Sequence, residues 1–150
     1  MISIIHILIL LPLLGLIATM IIPVKEENLI SRTAFVTVGL QMLLAQAFIL
    51  YWIIGGFPTY DIKDVVIFDA PGYEFFIDFS FDKITAVYLF VGSVLTFLIT
   101  TYSRYYLHRE DGYRRFFNAI LSFYFGYNIV IFSGNMETLF IGWELSLIHI

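Results

Sequence analysis

Cysteine is absent from the 150 residues, which excludes disulfides, thiolate metal sites, iron–sulfur ligation and a cysteine nucleophile within this chain. Charge is scarce too. Only 13% of the residues are Asp, Glu, Lys or Arg, about half the fraction usual in soluble domains. The net charge of −4 is small and scattered, and no basic stripe interleaved with aromatics is present, so nucleic acid is not an expected partner. Hydrophobic residues make up 60% of the chain, the composition of an integral membrane protein, with the lipid bilayer as its solvent.

The expected fold is an all-α integral membrane bundle. It has about four full transmembrane helices, a truncated fifth, and a short extracytoplasmic β-hairpin between helices 2 and 3. Residues 2–22 are almost uniformly apolar and closed by Pro23. Neither a basic leader nor a small-residue cleavage site is present there, so a first span is expected rather than a signal peptide. His6, its one ionisable group, reads as an interfacial or internally satisfied histidine rather than a proton relay. A polar loop over 24–32 follows, with Ser31 placed to cap the second span, 33–54. Gln41 and Gln46 within that span read as interhelical hydrogen bonders, and Tyr51 and Trp52 belong to an aromatic belt.

Residues 55–82 are polar. Ala70-Pro71-Gly72 is a turn signal. After it Phe75, Ile77, Phe79 and Phe81 alternate with Glu74, Asp78, Ser80 and Asp82, the period of a half-buried strand. A hairpin over 65–81 is therefore expected to lie on the bundle at the membrane surface. Its carboxylates, with Asp61, Asp64 and Asp69, read as a solvated face rather than a cation site. The third and fourth spans are expected at 84–102 and 116–133, joined by a loop rich in Arg and Tyr. Gly134-Asn135 reads as a tight turn, and a fifth helix over 136–150 follows.

The loops after the first and third spans carry Lys25, Arg32, Arg104, Arg109, Arg114 and Arg115, whereas the opposite side has Lys63 and Lys83. The positive-inside rule then places the N-terminus, the hairpin and the Gly134 turn outside, in a multi-pass protein of the cell inner membrane.

The fifth helix contains Leu139-Phe140-Ile141-Gly142-Trp143-Glu144. At ~1.5 Å per residue Glu144 lies roughly 12–15 Å along it, near the middle of a hydrocarbon core ~30 Å thick. A carboxylate at that depth costs at least ~2.5–3.5 kcal/mol and marks a functional site by default. Desolvation raises its pKa unless a cation faces it, which suits proton transfer. Glu137 sits one heptad earlier and reads as a first-turn carboxylate favoured by the helix dipole. No His, Asp or second Glu stands at i+3 or i+4 from Glu144, so a metal site is not expected. From residues alone, a structural ion pair between helices stays open beside the proton-handling role, and so does a small non-conducting membrane scaffold.

Three stretches carry a resemblance: Phe81-Asp82-Lys83-Ile84-Thr85, Tyr102-Ser103 with Glu110-Asp111-Gly112-Tyr113-Arg114-Arg115-Phe116-Phe117, and Gly142-Trp143-Glu144. From about Phe79 to Glu144 the sequence resembles the antiporter-like subunits of respiratory complex I, of the kind called subunit L in bacterial NADH-quinone oxidoreductase and subunit 5 in mitochondria. The first 60 residues match only in hydropathy and topology. The resemblance implies that Glu144 is a proton-translocating residue, paired with a lysine on a later, broken helix. It also implies that the other membrane subunits of the complex are partners, that quinone reduction elsewhere is coupled to proton pumping, and that this chain has no catalytic residue, cofactor or metal of its own. No small-molecule substrate beyond protons is implied. The same fold in a multisubunit cation/proton antiporter, a membrane-bound hydrogenase or an inorganic-carbon transporter is the alternative.

Family members are several hundred residues long and built from inverted repeats, so the chain is expected to be one N-terminal part of a larger membrane domain. The family continues with small residues after its glutamate, whereas this chain reads Leu145-Ser146-Leu147-Ile148-His149-Ile150. That ending is what a common transposase sequencing adapter yields when translated, so residues 146–150 are expected to be read-through and His149 is not taken as a ligand. A helix of ~22 Å is also too short to span.

Overall fold

Proline closes the first apolar run, and the chain turns at once: Glu26 N–H donates to the Pro23 carbonyl at 3.0 Å. The computed structural model describes residues 2–70, 72–107 and 112–147. Its elements are α1 (Ile2–Ile21), α2 (Glu27–Ile54), β1 (Tyr60–Ala70), β2 (Tyr73–Phe81), α3 (Lys83–Tyr106), α4 (Tyr113–Phe132) and α5 (Met136–Leu147). The first four helices are long and apolar enough to cross a membrane. Each buries only between 28% and 39% of its most apolar window within the protein. Leu14, Ile21, Val36, Leu43, Leu98 and Ile99 are among the large side chains left outside. A soluble monomer rarely exposes so much contiguous apolar surface; within a membrane such surface meets lipid or further helices.

Helix α1 packs against α2 and α4, α2 against α3, and α5 against α4 and β2. Without a hydrophobic driving force between helices in lipid, small residues that let backbones approach become the contact points. A Cβ at Gly15 on α1 would stand 2.5 Å from the Thr37 side chain of α2, and one at Gly92 on α3 would run into the Tyr127 ring of α4. The interior divides into two clusters. Ile5, Leu8, Phe48, Trp52, Leu89 and Phe132 meet Phe79 and Phe81 of the hairpin at one end. Ile30, Ala34, Val38, Phe117, Leu121 and Tyr124 fill the other.

Several elements begin earlier or run longer than the hydropathy pattern implies. The second helix starts at Glu27 rather than 33, so Ser31 is not a cap. Its hydroxyl lies inside the helix and donates to the Asn28 carbonyl at 3.3 Å. Ile30 explains the early start: it stands four residues before Ala34 and eight before Val38, so the buried helical face of the apolar run extends back into the polar stretch. The third helix runs on to Tyr106 and the fourth starts at Tyr113. Residues 148–150 of the expected fifth helix lie outside the described residues.

The hairpin is present and longer than 65–81. Tyr60 pairs with Phe81 and Ile62 with Phe79 across an antiparallel ladder. The first strand escapes a periodicity search because its register shifts between Lys63 and Val65 and again between Val66 and Phe68; each bulge resets the inside–outside phase. The second strand keeps the expected phase at its inner end. Phe79 and Phe81 are buried, and the Phe81 ring centroid lies 4.7 Å from that of Phe48, 5.2 Å from Trp52 and 6.0 Å from Phe132. Asp82, next in the chain, caps α3 by accepting from Thr85 N–H at 2.8 Å. His6 packs edge-on against Phe79, with 6.0 Å between ring centroids.

A proline sits inside α1. Pro12 has no N–H to give to the carbonyl four residues back, so Leu8 C=O has no intrahelical donor. In hydrocarbon such a group must be satisfied by a neighbour. Two amides converge on it: Gln41 Nε2 of α2 donates at 2.6 Å and Asn128 Nδ2 of α4 at 3.2 Å. Both side chains are fully buried. Gln41 is thus the interhelical hydrogen bonder its position implies, and Gln46, which donates to Ser93 Oγ at 2.9 Å, is another.

Candidate functional site

The placement of Glu144 begins with two glycines. A Cβ at Gly126 on α4 would stand 2.6 Å from the backbone nitrogen of Ser146 and 2.9 Å from the carbonyl oxygen of Gly142, and a Cβ at Gly142 would stand 2.8 Å from the Val130 nitrogen. Helices α4 and α5 therefore touch backbone to backbone. The face of α5 turned to α4 contains Thr138 and Gly142, both buried.

Two residues past Gly142 is about 200° round a helix with ~3.6 residues per turn, so Glu144 points away from α4. It is exposed, on a face shared with Met136, Phe140, Trp143 and Leu147. The described bundle does not surround this carboxylate as its mid-helix position suggests. Small residues win the contact with α4, and the larger side chains and the glutamate turn outward. The result is an apolar helix face carrying one acid.

The N-terminal end of α5 is held by the hairpin. Asn135 Oδ1 accepts from Thr138 N–H at 2.8 Å and caps the helix, while its Nδ2 donates to the Phe76 carbonyl at 2.8 Å. Asp78 N–H donates to Thr138 Oγ1 at 2.9 Å, and Gly134 N–H donates to the Asp78 carbonyl at 2.8 Å. Ser80 Oγ donates to the Ser133 carbonyl at 3.3 Å. The tight turn expected at Gly134-Asn135 is thus also the seam between helix and sheet. The Asp78 carboxyl lies against Gly134, where a Cβ would meet its Oδ2 at 2.6 Å. Desolvation, then the charge of Asp61, pushes the Asp78 pKa above its ordinary 3.8, and Lys63 pulls the other way. Lys63 pairs with Glu74 at 2.6 Å on the exposed side of the hairpin. Glu137, in the first turn of α5, is half-buried and has an interaction of its own.

The Leu8–Gln41–Asn128 knot and the Asn135 seam were not singled out as functional from the sequence. A proline inside an apolar span is the signal for the first, since it implies a free carbonyl four residues earlier. An Asn just before a helix is the signal for the second.

Four helices fit to span, a small hairpin at one end and an acid on an outward apolar helix face define a polytopic membrane protein. Comparison with known proteins narrows this. Residues 68–117, which run from the hairpin through α3 into α4, match the family model of the NADH-Ubiquinone oxidoreductase (complex I), chain 5 N-terminus. The chain is 30% identical over 123 residues to NADH-quinone oxidoreductase subunit L of Neisseria meningitidis, an alignment covering 78% of this chain and 18% of that protein. NADH-ubiquinone oxidoreductase chain 5 of Schizophyllum commune is 34% identical over 67 residues, or 45% of this chain and 10% of the relative. Chain 5 of Felis catus is 31% identical over 68 residues, or 45% and 11%. The chain belongs to the family of complex I antiporter-like subunits, chain 5 and subunit L. It spans less than a fifth of the length of the curated relatives it matches.

Proposed function

We propose that this chain is the N-terminal part of a proton-translocating membrane subunit of an NADH-quinone oxidoreductase, and that Glu144 carries the proton. One observation bears the most weight: the carboxylate stands on the exposed apolar face of α5, opposite the glycine contact with α4. An acid so placed in hydrocarbon needs a counterpart. That face is turned to receive a further helix, and a lysine there would set the acid's protonation by its approach or withdrawal. The partners are the other membrane subunits of the complex. This segment binds and moves protons and does no redox chemistry of its own, with quinone reduction taking place elsewhere.

The distribution of charge supports a sidedness. Lys25, Arg32, Arg104, Arg109, Arg114 and Arg115 outnumber Glu26, Glu27, Glu110 and Asp111 at one end of the spans. At the other end Lys63 and Lys83 are outnumbered by Asp61, Asp64, Asp69, Glu74, Asp78, Asp82 and Glu137. The basic end is cytoplasmic and the hairpin and N-terminus are extracytoplasmic, in the cell inner membrane. The test is proton flux in proteoliposomes containing the assembled complex with full-length Glu144→Gln. Assembly with flux lost is expected; assembly with normal flux sinks the assignment.

A further inference from the structure

Between the ends of α1 and α4 at the basic pole lies an open groove of about 320 Å³, a size at the low end for small-ligand sites. Its chemistry is divided. Leu16 and Met20 of α1 and Ala119 of α4 make one wall apolar; Arg114, Arg115, Asn118 and Ser122 of α4 make the other polar. The arginines stand in the first turn of a membrane-spanning helix, at the depth where a span meets the headgroup layer. Arg114 uses one nitrogen on the Ile22 carbonyl that follows α1, at 3.3 Å, which braces its guanidinium across the groove and leaves further N–H donors. Arg115 is exposed.

We propose that this groove binds one anionic glycerophospholipid. The phosphodiester sits on Arg114 and Arg115, and an acyl chain lies along Leu16, Met20 and Ala119. Each part of the ligand answers one part of the groove. The arginine pair needs a delocalised anion of phosphate geometry. Two arginines with no carboxylate in the groove lining favour an anionic over a zwitterionic headgroup. The apolar wall, continuous with the lipid-facing side of α1, needs a hydrocarbon chain. The cationic balance of this end, counted above with its acidic residues included, adds long-range attraction for anionic lipid. The inference rests on the membrane reading alone and is independent of Glu144.

The experiment uses the full-length protein in phosphatidylcholine nanodiscs doped with phosphatidylglycerol, with retained lipids identified by native mass spectrometry after release from the disc. Preferential retention of one phosphatidylglycerol is expected. Arg114→Gln with Arg115→Gln should weaken that retention roughly thirtyfold and Arg115→Gln alone about fivefold. Ala119→Leu, which fills the apolar wall without touching charge, should also expel the lipid. Arg104→Gln removes an equal charge at the same pole outside the groove and should leave retention unchanged. If the double variant fails to fold, Arg115→Gln and Ala119→Leu carry the test. Equal retention of both lipids, an equal loss in Arg104→Gln, or displacement of the lipid by inorganic phosphate would overturn the proposal.

Discussion

The carbonyl freed by Pro12 allows a quantitative test of how this bundle is held together. Leu8 C=O receives Gln41 Nε2 at 2.6 Å and Asn128 Nδ2 at 3.2 Å, so either amide alone keeps it satisfied. Interhelical hydrogen bonds in membranes are worth ~0.6 kcal/mol on average and at most ~1.7 kcal/mol. Gln41→Leu, which removes the shorter bond, should cost about 1–1.5 kcal/mol, and Asn128→Leu about 0.5 kcal/mol. Each change also deletes an amide oxygen that is buried without a partner, which holds the single costs down. The double variant differs in kind. It leaves a backbone carbonyl without a donor in hydrocarbon, a penalty of roughly several kcal/mol, so the two changes together should cost more than their sum. Pro12→Ala in that double background returns an N–H to the carbonyl and should restore most of the loss. The assay is SDS-induced unfolding of the full-length protein in mixed micelles. Strict additivity, together with no rescue by Pro12→Ala, would refute the reasoning.

Three further outcomes are expected. Gly142→Ala places a methyl 2.8 Å from the Val130 nitrogen, which is backbone and cannot step aside; it should cost about 1–3 kcal/mol and weaken cysteine crosslinks introduced between α4 and α5. Asn135→Ala removes the α5 cap, for roughly 0.5–2 kcal/mol, and the tie to the Phe76 carbonyl, so protease cleavage within the hairpin should quicken; an unchanged rate would show that the seam does not hold the sheet. The raised Asp78 pKa means that the folded state binds a proton more tightly than the unfolded chain, so this carboxyl's contribution grows more favourable as pH falls from neutral toward 3.8. Amide exchange at Asp78 and Gly134 should therefore slow at mildly acidic pH beyond its intrinsic dependence, and Asp78→Asn should flatten that response; exchange tracking intrinsic rates alone would contradict it.

The spans and the strand β2 were legible in the sequence because each rests on a local pattern: long apolar runs for the helices, and Phe75 to Phe81 alternating with polar residues for the strand. The strand β1 was half legible. Its two register shifts scramble the alternation, and they are visible only once Tyr60 and Ile62 are paired across to Phe81 and Phe79. The start of α2 was missed because its first turns are polar, their helicity coming from the burial of Ile30 and Ala34 rather than from hydropathy. For Glu144 the sequence gives the depth along a helix. Its direction depends on which face of α5 approaches α4 most closely, and that is decided by Gly126 and Gly142 acting together across a helix pair. A pairwise steric fact of this kind has no signature in either segment alone.

The seam between the hairpin and α5 also sets how Glu144 is able to move. Its helix is anchored at its N-terminal end through Asn135 and Thr138, and about 6 Å further along it is pressed against α4 at Gly142. With the sheet holding its first turn and α4 touching its backbone at Gly142 and again at Ser146, the helix is held on both sides of Glu144, and sliding or rolling it would tear hydrogen bonds from a sheet. The backbone under Glu144 is consequently a fixed pivot. The reach of the carboxylate is that of three side-chain torsions swinging over an apolar surface, a radius of only a few ångströms, so the partner in the proposed proton transfer must come to it.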